Sequence, residues 1–223
     1  YEWTYSGIGG GPVTVSDPAN TEIHTFSIPF SGDYLSPNYV ETKVQYFAPG
    51  TTSNPLRTIT TAYTGDPFGT NDFVNIRPIS VTTTLDNGME SQTQTDYETF
   101  AIPPINAYSI STRLNPTETR EYDFGPSAPG GLLRKTDYTY LHNNSTNGPT
   151  YQNLNIVDRV ASTTVYNASG AKIAYTTSEY DNYTQGITSS GVIQHNSSFN
   201  TSYLTRGNLT ATQRWRNTDG ATL

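Results

Sequence analysis

Val160-Ala-Ser-Thr-Thr-Val-Tyr166-Asn-Ala-Ser-Gly170-Ala-Lys-Ile173-Ala-Tyr-Thr-Thr-Ser-Glu-Tyr180-Asp181 decides how this chain folds. Two threonine-rich alternating runs, each closed by a tyrosine, flank a short Asn-Ala-Ser-Gly turn, which reads as strand, turn, strand. The same unit recurs from Val40 to Tyr46, Leu56 to Tyr63, Met89 to Tyr97, Leu133 to Tyr140 and Leu209 to Trp215. In every copy an aromatic residue stands six to eight positions after the first apolar residue. Such a repeat predicts units whose apolar faces are covered by their neighbours. The expected fold is all-β, built of antiparallel β-hairpin repeats without substantial helix. The aromatic ladder Tyr46, Tyr63, Tyr97, Tyr140, Tyr166, Tyr180 and Trp215 is expected to pack one hairpin on the next.

Composition agrees with wet sheet faces. The chain has 223 residues, 33% hydrophobic and only 14% charged, with 17 Tyr and 8 Phe. Tyr and Thr suit a pleated, half-buried surface. A net charge of −7 with twelve scattered Lys and Arg leaves no basic stripe for nucleic acid. The apolar runs are too short to span a bilayer as a helix. The absence of cysteine excludes thiol catalysis, thiolate metal sites and disulfides. An acidic chain rich in Thr, Ser, Asn and Tyr is expected outside the cell.

Turn chemistry divides the chain. Gly9-Gly10-Gly11-Pro12 and Asp17-Pro18-Ala19-Asn20 punctuate the first meander, and no helix pattern or Gly-Lys-Ser/Thr follows to make the glycines a phosphate cradle. Val40–Phe47 and Leu56–Thr64 form a second hairpin, and 65–75 reads as a loop. Asn87-Gly88 is a tight-turn signal because both residues tolerate positive φ; Asp123, Gly170, Asp181 and Gly220 are the other expected turn residues. Pro103-Pro104 and Asn115-Pro116 are expected to break or edge the sheet. The chain therefore reads as one continuous β-repeat domain, 1–223, whose possible subdivision is a looser 1–110 and a regular 111–223. His142 to Pro149 reads as a polar loop.

Several of these segments resemble the bacterial rearrangement-hot-spot (RHS), or YD-repeat, family of extracellular proteins. They are Arg120-Glu-Tyr-Asp-Phe-Gly, Leu132 to Leu141, Asn155 to Gly170, Thr177-Ser-Glu-Tyr-Asp and Arg206 to Trp215. The resemblance covers 111–223 well and 1–100 more loosely. It implies a hairpin ribbon that coils into a shell in toxin-delivery and surface proteins. It also implies adhesion or carbohydrate binding in some members. The chain departs from the family in length, and it shows no core-ending autoproteolysis block. Asp66-Pro67-Phe68-Gly69 lacks the flanking residues of that element.

Strands at Tyr1, Trp3 and Tyr5, and again at Ala221 and Leu223, are expected to leave edges that recruit a second copy head to tail. The expected partners are therefore other copies of the chain or the rest of a longer RHS-like protein, and glycans. No cofactor, metal or catalytic residue is expected. His24, His142 and His195 lie apart, without a second ligand at metal spacing. Gly125-Pro-Ser127-Ala-Pro-Gly130 is a turn and not a nucleophile elbow. Asp123, Asp158, Asp181 and Asp219 are the carboxylates that a polysaccharide-degrading enzyme would use, yet each occupies a turn position where capping explains it. Asn143, Asn144, Asn167, Asn182, Asn196, Asn200 and Asn208 head Asn-x-Ser/Thr and are candidate glycosylation acceptors. The expected function is thus a non-enzymatic structural subunit of a filament or shell at the bacterial surface. The second reading is a carbohydrate-binding or adhesion module, or a fragment of a toxin-encapsulating shell.

Overall fold

The structure is a computed structural model; it describes residues 13–16, 21–27, 39–68, 72–99, 112–184, 186–189, 191–193 and 196–215. The chain is all-β and antiparallel, in two compact units, 1–135 and 136–223. Unit 1 holds β1 (Val13–Ser16), β2 (Thr21–Ser27), β3 (Val40–Phe47), β4 (Arg57–Phe68), β5 (Asp72–Leu85), β6 (Met89–Thr99) and β7 (Thr112–Pro126). Each pairs with the next in chain order. β8 (Leu132–Tyr140) starts in unit 1, where Arg134 and Lys135 reach Glu121 and Glu118 of β7 at 2.7 and 3.0 Å. In unit 2, β9 (Val160–Asn167), β10 (Lys172–Tyr180) and β11 (Leu209–Arg214) continue the meander.

The sheet faces are held by cross-strand polar rows as much as by apolar burial. Thr60 stands opposite Thr82, Thr82 opposite Gln92 and Gln92 opposite Tyr122. Along that row the Gln92 amide donates to Thr82 Oγ1 at 2.9 Å. Such directly opposed pairs are the unit of sheet stabilisation. Among the described residues the buried apolar side chains are few: Val44 and Phe47 in unit 1, and Tyr140, Leu141 and Tyr151 in unit 2.

Three ladder tyrosines share one device that the sequence pattern did not reveal. Tyr63, Tyr97 and Tyr180 each sit where the register slips against the following strand. Each then donates its hydroxyl back to a carbonyl of the preceding strand: Glu41 at 2.9 Å, Pro78 at 2.8 Å and Val160 at 2.9 Å. In unit 1 the residue opposite the slipped tyrosine is proline both times, Pro78 facing Tyr63 and Pro116 facing Tyr97. A bulge leaves a backbone position out of the ladder, so a residue without an N–H fits there.

Two expectations about breakers are corrected by this. The stretch 65–75 is not a loop: β4 runs to Phe68 and β5 starts at Asp72, with bulges at Ala62/Tyr63 and Thr64/Asp66 absorbing the misfit residues. Asn115-Pro116 does not break the sheet, since Pro116 lies inside β7 beside a bulge of that strand. Pro103-Pro104 lie outside the described residues. The expected loop from His142 to Pro149 is also ordered more tightly than its polarity implied. A 3-10 turn (Leu141–Asn143) leads to a six-residue helix, α1 (Gly148–Asn153), with His142, Gly148 and Tyr151 buried. Pro149 opens the helix, where its missing N–H costs nothing. Gly148 is required there because a Cβ would stand 2.3 Å from the His142 carbonyl oxygen.

Candidate functional site

The densest polar constellation among the described residues gathers on Asp181. It follows Tyr180 at the end of β10 with φ +57°, a left-handed conformation that aspartate tolerates better than most residues. Its Oδ2 accepts from the Arg206 N–H at 2.9 Å, the Gly207 N–H at 2.8 Å and the Tyr151 hydroxyl at 2.9 Å. Its Oδ1 accepts from the Asn208 N–H at 2.9 Å and the Tyr183 hydroxyl at 3.0 Å. Arg206 clamps the loop behind, donating to the carbonyls of Tyr203, Asn200 and Phe199 at 2.7, 2.6 and 3.1 Å. Gly207 has φ +68°, and a Cβ there would meet Ile156 Cγ2 at 2.7 Å, so only glycine fits between the knot and Arg159.

Burial works against the Asp181 charge, but the Gly207, Asn208 and Arg206 N–H groups outweigh it and hold the carboxyl below its usual range. Burial, with Asp181 beside it, pushes the Tyr151 hydroxyl up, so that tyrosine remains a donor. Five donors on two oxygens occupy the carboxylate fully. Through these five bonds Asp181 ties three chain segments together, around Tyr151, Tyr183 and Arg206 to Asn208.

The other expected carboxylates make fewer contacts, with residues next to them in sequence. Asp123 Oδ1 accepts from the next N–H, that of Phe124, at 2.8 Å. Asp158 pairs with the adjacent Arg159 at 2.9 Å. Asp219 lies outside the described residues. His24 bridges two carboxylates, Glu41 at 2.5 Å and Glu22 at 3.2 Å. No group of three His, Cys, Asp or Glu among the described residues is placed to hold a metal. His142 is buried at the edge of unit 2, its ring 5.9 Å from that of Tyr140; His195 lies outside the described residues.

Unit 1 carries two charged clusters that sequence reasoning missed. Asp66 and Arg77 form a buried pair at 3.1 Å, the carboxylate also accepting from the Asn75 amide at 3.1 Å. The Arg77 guanidinium lies 5.5 Å from the Tyr97 ring centre. On the sheet face, Arg120 grips Asp96 through two hydrogen bonds of 2.7 and 3.1 Å and also reaches Glu118. Glu118 is held below its ordinary range: burial opposes the charge, and Lys135 and Arg120 overcome it. The signal in the sequence was the alternation Glu118, Arg120 on a strand, whose like-facing side chains meet at period two.

Two of the remaining ladder aromatics, Tyr46 and Trp215, face cations. Arg57 lies 4.1 Å from the Tyr46 ring centre, Lys172 lies 4.5 Å from that of Trp215, and Lys172 stands opposite Tyr166 in the register. Gly88 and Gly170 take φ of +80° and +79° at the hairpin tips, and Asn87 Oδ1 accepts from the Met89 N–H at 3.0 Å. Gly220 and the expected inter-subunit residues Tyr1, Trp3, Tyr5, Ala221 and Leu223 lie outside the described residues. No helix of the described residues is long and apolar enough to cross a membrane.

Comparison with protein-family models, curated proteins and solved structures finds no match to this chain. β11 is a terminal strand of the described order. The Trp215 N–H donates to the Tyr175 carbonyl at 2.8 Å, which makes that pair the hydrogen-bonded one. By the two-residue alternation of an antiparallel ladder, Gln213 and Ala211 also bond inward, while Thr212 and Arg214 turn their N–H and C=O groups outward. Among the described residues no strand pairs with that side.

Proposed function

We propose that the chain is a non-enzymatic, extracellular structural protein of RHS-like repeats, at the bacterial surface, that joins a filament or shell by strand pairing between subunits. The outward-facing edge of β11 carries this reading: a row of unpaired backbone groups is a template for another strand. The serial hairpins support it, because the tyrosine and bulge device repeats in both units and so reads as scaffold. The committed carboxylate of Asp181 supports it too, since the site richest in polar contacts is spent on holding loops together.

Electron microscopy and light scattering of the purified chain test it. The expected result is oligomers that grow with concentration. Thr212→Pro removes one outward N–H and no bond to β10, so it is expected to leave the circular dichroism spectrum unchanged and abolish growth. Monodisperse monomers of the unaltered chain at all concentrations overturn the reading.

A second reading, binding of a glycan, draws on Phe199. Its ring is half exposed and meets Tyr203 edge-on at 5.0 Å, beside a cavity of 330 Å³ also lined by Ile156, Thr205, Arg206 and Asn208. Exposed aromatic rings beside hydrogen-bonding groups suit sugar stacking. Glycan-array signal lost in Phe199→Ala favours it; the absence of signal with the unaltered chain removes it.

A further inference from the structure

The asparagines of the chain fall into two groups. None of the eight before residue 143 heads an Asn-x-Ser/Thr triplet free of proline, and the nearest, Asn115-Pro116-Thr117, is blocked by its middle proline. From Asn143 onward seven of them do. Richness in Ser and Thr is too similar to explain this, with 32 among the 135 residues of unit 1 and 25 among the 88 of unit 2. All seven stand in unit 2, and all but the half-buried Asn167 are exposed.

Their side chains differ in one decisive respect. At Asn144, Asn167 and Asn196 the side-chain oxygen faces inward, accepting from the N–H two residues on: Thr146 at 2.9 Å, Ser169 at 3.1 Å and Ser198 at 2.9 Å. At Asn167 the Ser169 hydroxyl donates to the same oxygen at 2.8 Å. In this turn the carboxamide oxygen is held against the backbone and Nδ2 points away from it. No hydrogen bond from Nδ2 of these three is present among the described residues. At Asn182, Asn200 and Asn208, by contrast, Nδ2 is engaged, with Glu179 at 2.7 Å, the Ser197 carbonyl at 2.9 Å and the Tyr183 hydroxyl at 2.9 Å, even though the Asn200 oxygen also accepts from the N–H two residues on, that of Ser202, at 2.8 Å.

We propose that unit 2 is N-glycosylated, at Asn144, Asn167 and Asn196. The co-reactant is an oligosaccharide carried on a lipid phosphate. Nδ2 attacks the anomeric carbon, a bond from Nδ2 to C1 forms, and the bond from C1 to the phosphate oxygen breaks. The lipid phosphate leaves with that electron pair, and the amide gives one proton to base. A folded chain presents these three nitrogens at loop and hairpin tips, so the glycans are accommodated without opening the sheet.

Peptide mapping by mass spectrometry of the protein isolated from its source tests this. Sugar fragment ions are expected on the peptides holding Asn144, Asn167 and Asn196, each heavier than its bare sequence mass. Thr146→Ala, Ser169→Ala and Ser198→Ala each keep the asparagine and the N–H that its oxygen accepts from, yet remove the acceptor hydroxyl. Each is expected to return its own peptide to bare mass with unchanged thermal unfolding of the deglycosylated chain. Bare mass at all three sites overturns the proposal, and so does sugar found only at Asn182, Asn200 or Asn208. Either result leaves the strand-pairing reading to its own test.

Discussion

At the scale of single residues, what distinguishes this protein is side chains bonded to backbone. Tyr180 spends its hydroxyl on one carbonyl at 2.9 Å. Tyr180→Phe therefore removes one hydrogen bond and is expected to lower stability by about 1 kcal/mol, read as a lower urea midpoint at constant slope. Asp181 is a different case, because its loss strands three N–H groups and two tyrosine hydroxyls at once. Asp181→Ala is expected to cost about 3 kcal/mol, the upper end for leaving partly buried donors unsatisfied. The same residue fixes a pH dependence. The folded-state carboxyls of Asp181 and Glu118 lie below their unfolded values. Their contribution is thus present above the ordinary carboxylate range and is lost as pH falls through and below it. The thermal midpoint is expected to drop steeply below about pH 4. In Asp181→Asn that drop is expected to be shallower, and an unchanged acid limb would contradict the assignment.

At the scale of elements, the strands are long because their bulges tolerate residues that would otherwise stop them. Pro78 and Pro116 stand opposite the slipped Tyr63 and Tyr97. Pro78→Ala is expected to change stability by no more than about 0.5 kcal/mol, since no ladder donor is missing there. Thr82→Pro, in the regular part of the same strand, is expected to cost about 3 kcal/mol or more. Equal effects from the two substitutions, measured by denaturant unfolding, would remove the bulge argument. The strand alternation around Tyr46, Tyr63, Tyr97 and Tyr180 was legible in the sequence because a period of two survives any register. The bulges were not legible, since Pro116 reads locally as a breaker and only its partner across the sheet shows why it is accepted.

At the scale of the molecule, two units of one architecture divide their roles. Unit 1 holds the Arg120 and Asp66–Arg77 charged clusters. Unit 2 holds the Asp181 knot, the half-exposed Phe199 and every Asn-x-Ser/Thr triplet. Growth by strand pairing and glycan attachment make compatible demands on unit 2. The β11 edge offers backbone, whereas Asn144, Asn167 and Asn196 lie in the loops and hairpin tips of that unit. A glycosylated sample is accordingly expected to assemble to the same extent as one released from its glycans, measured by sedimentation.

By itself the sequence determined that the chain is all-β and serial, because alternation and turn residues act within a few positions of each other. It also determined which asparagines have the triplet that glycosylation requires. Only the tertiary structure decided which carboxylates are spent, which prolines are harmless and which asparagine nitrogens are free. The bonds that tie separate elements together reach far along the chain, 20 residues from Tyr180 to Val160 and 30 from Tyr151 to Asp181. Local composition carries no record of a bond whose other half is set by register.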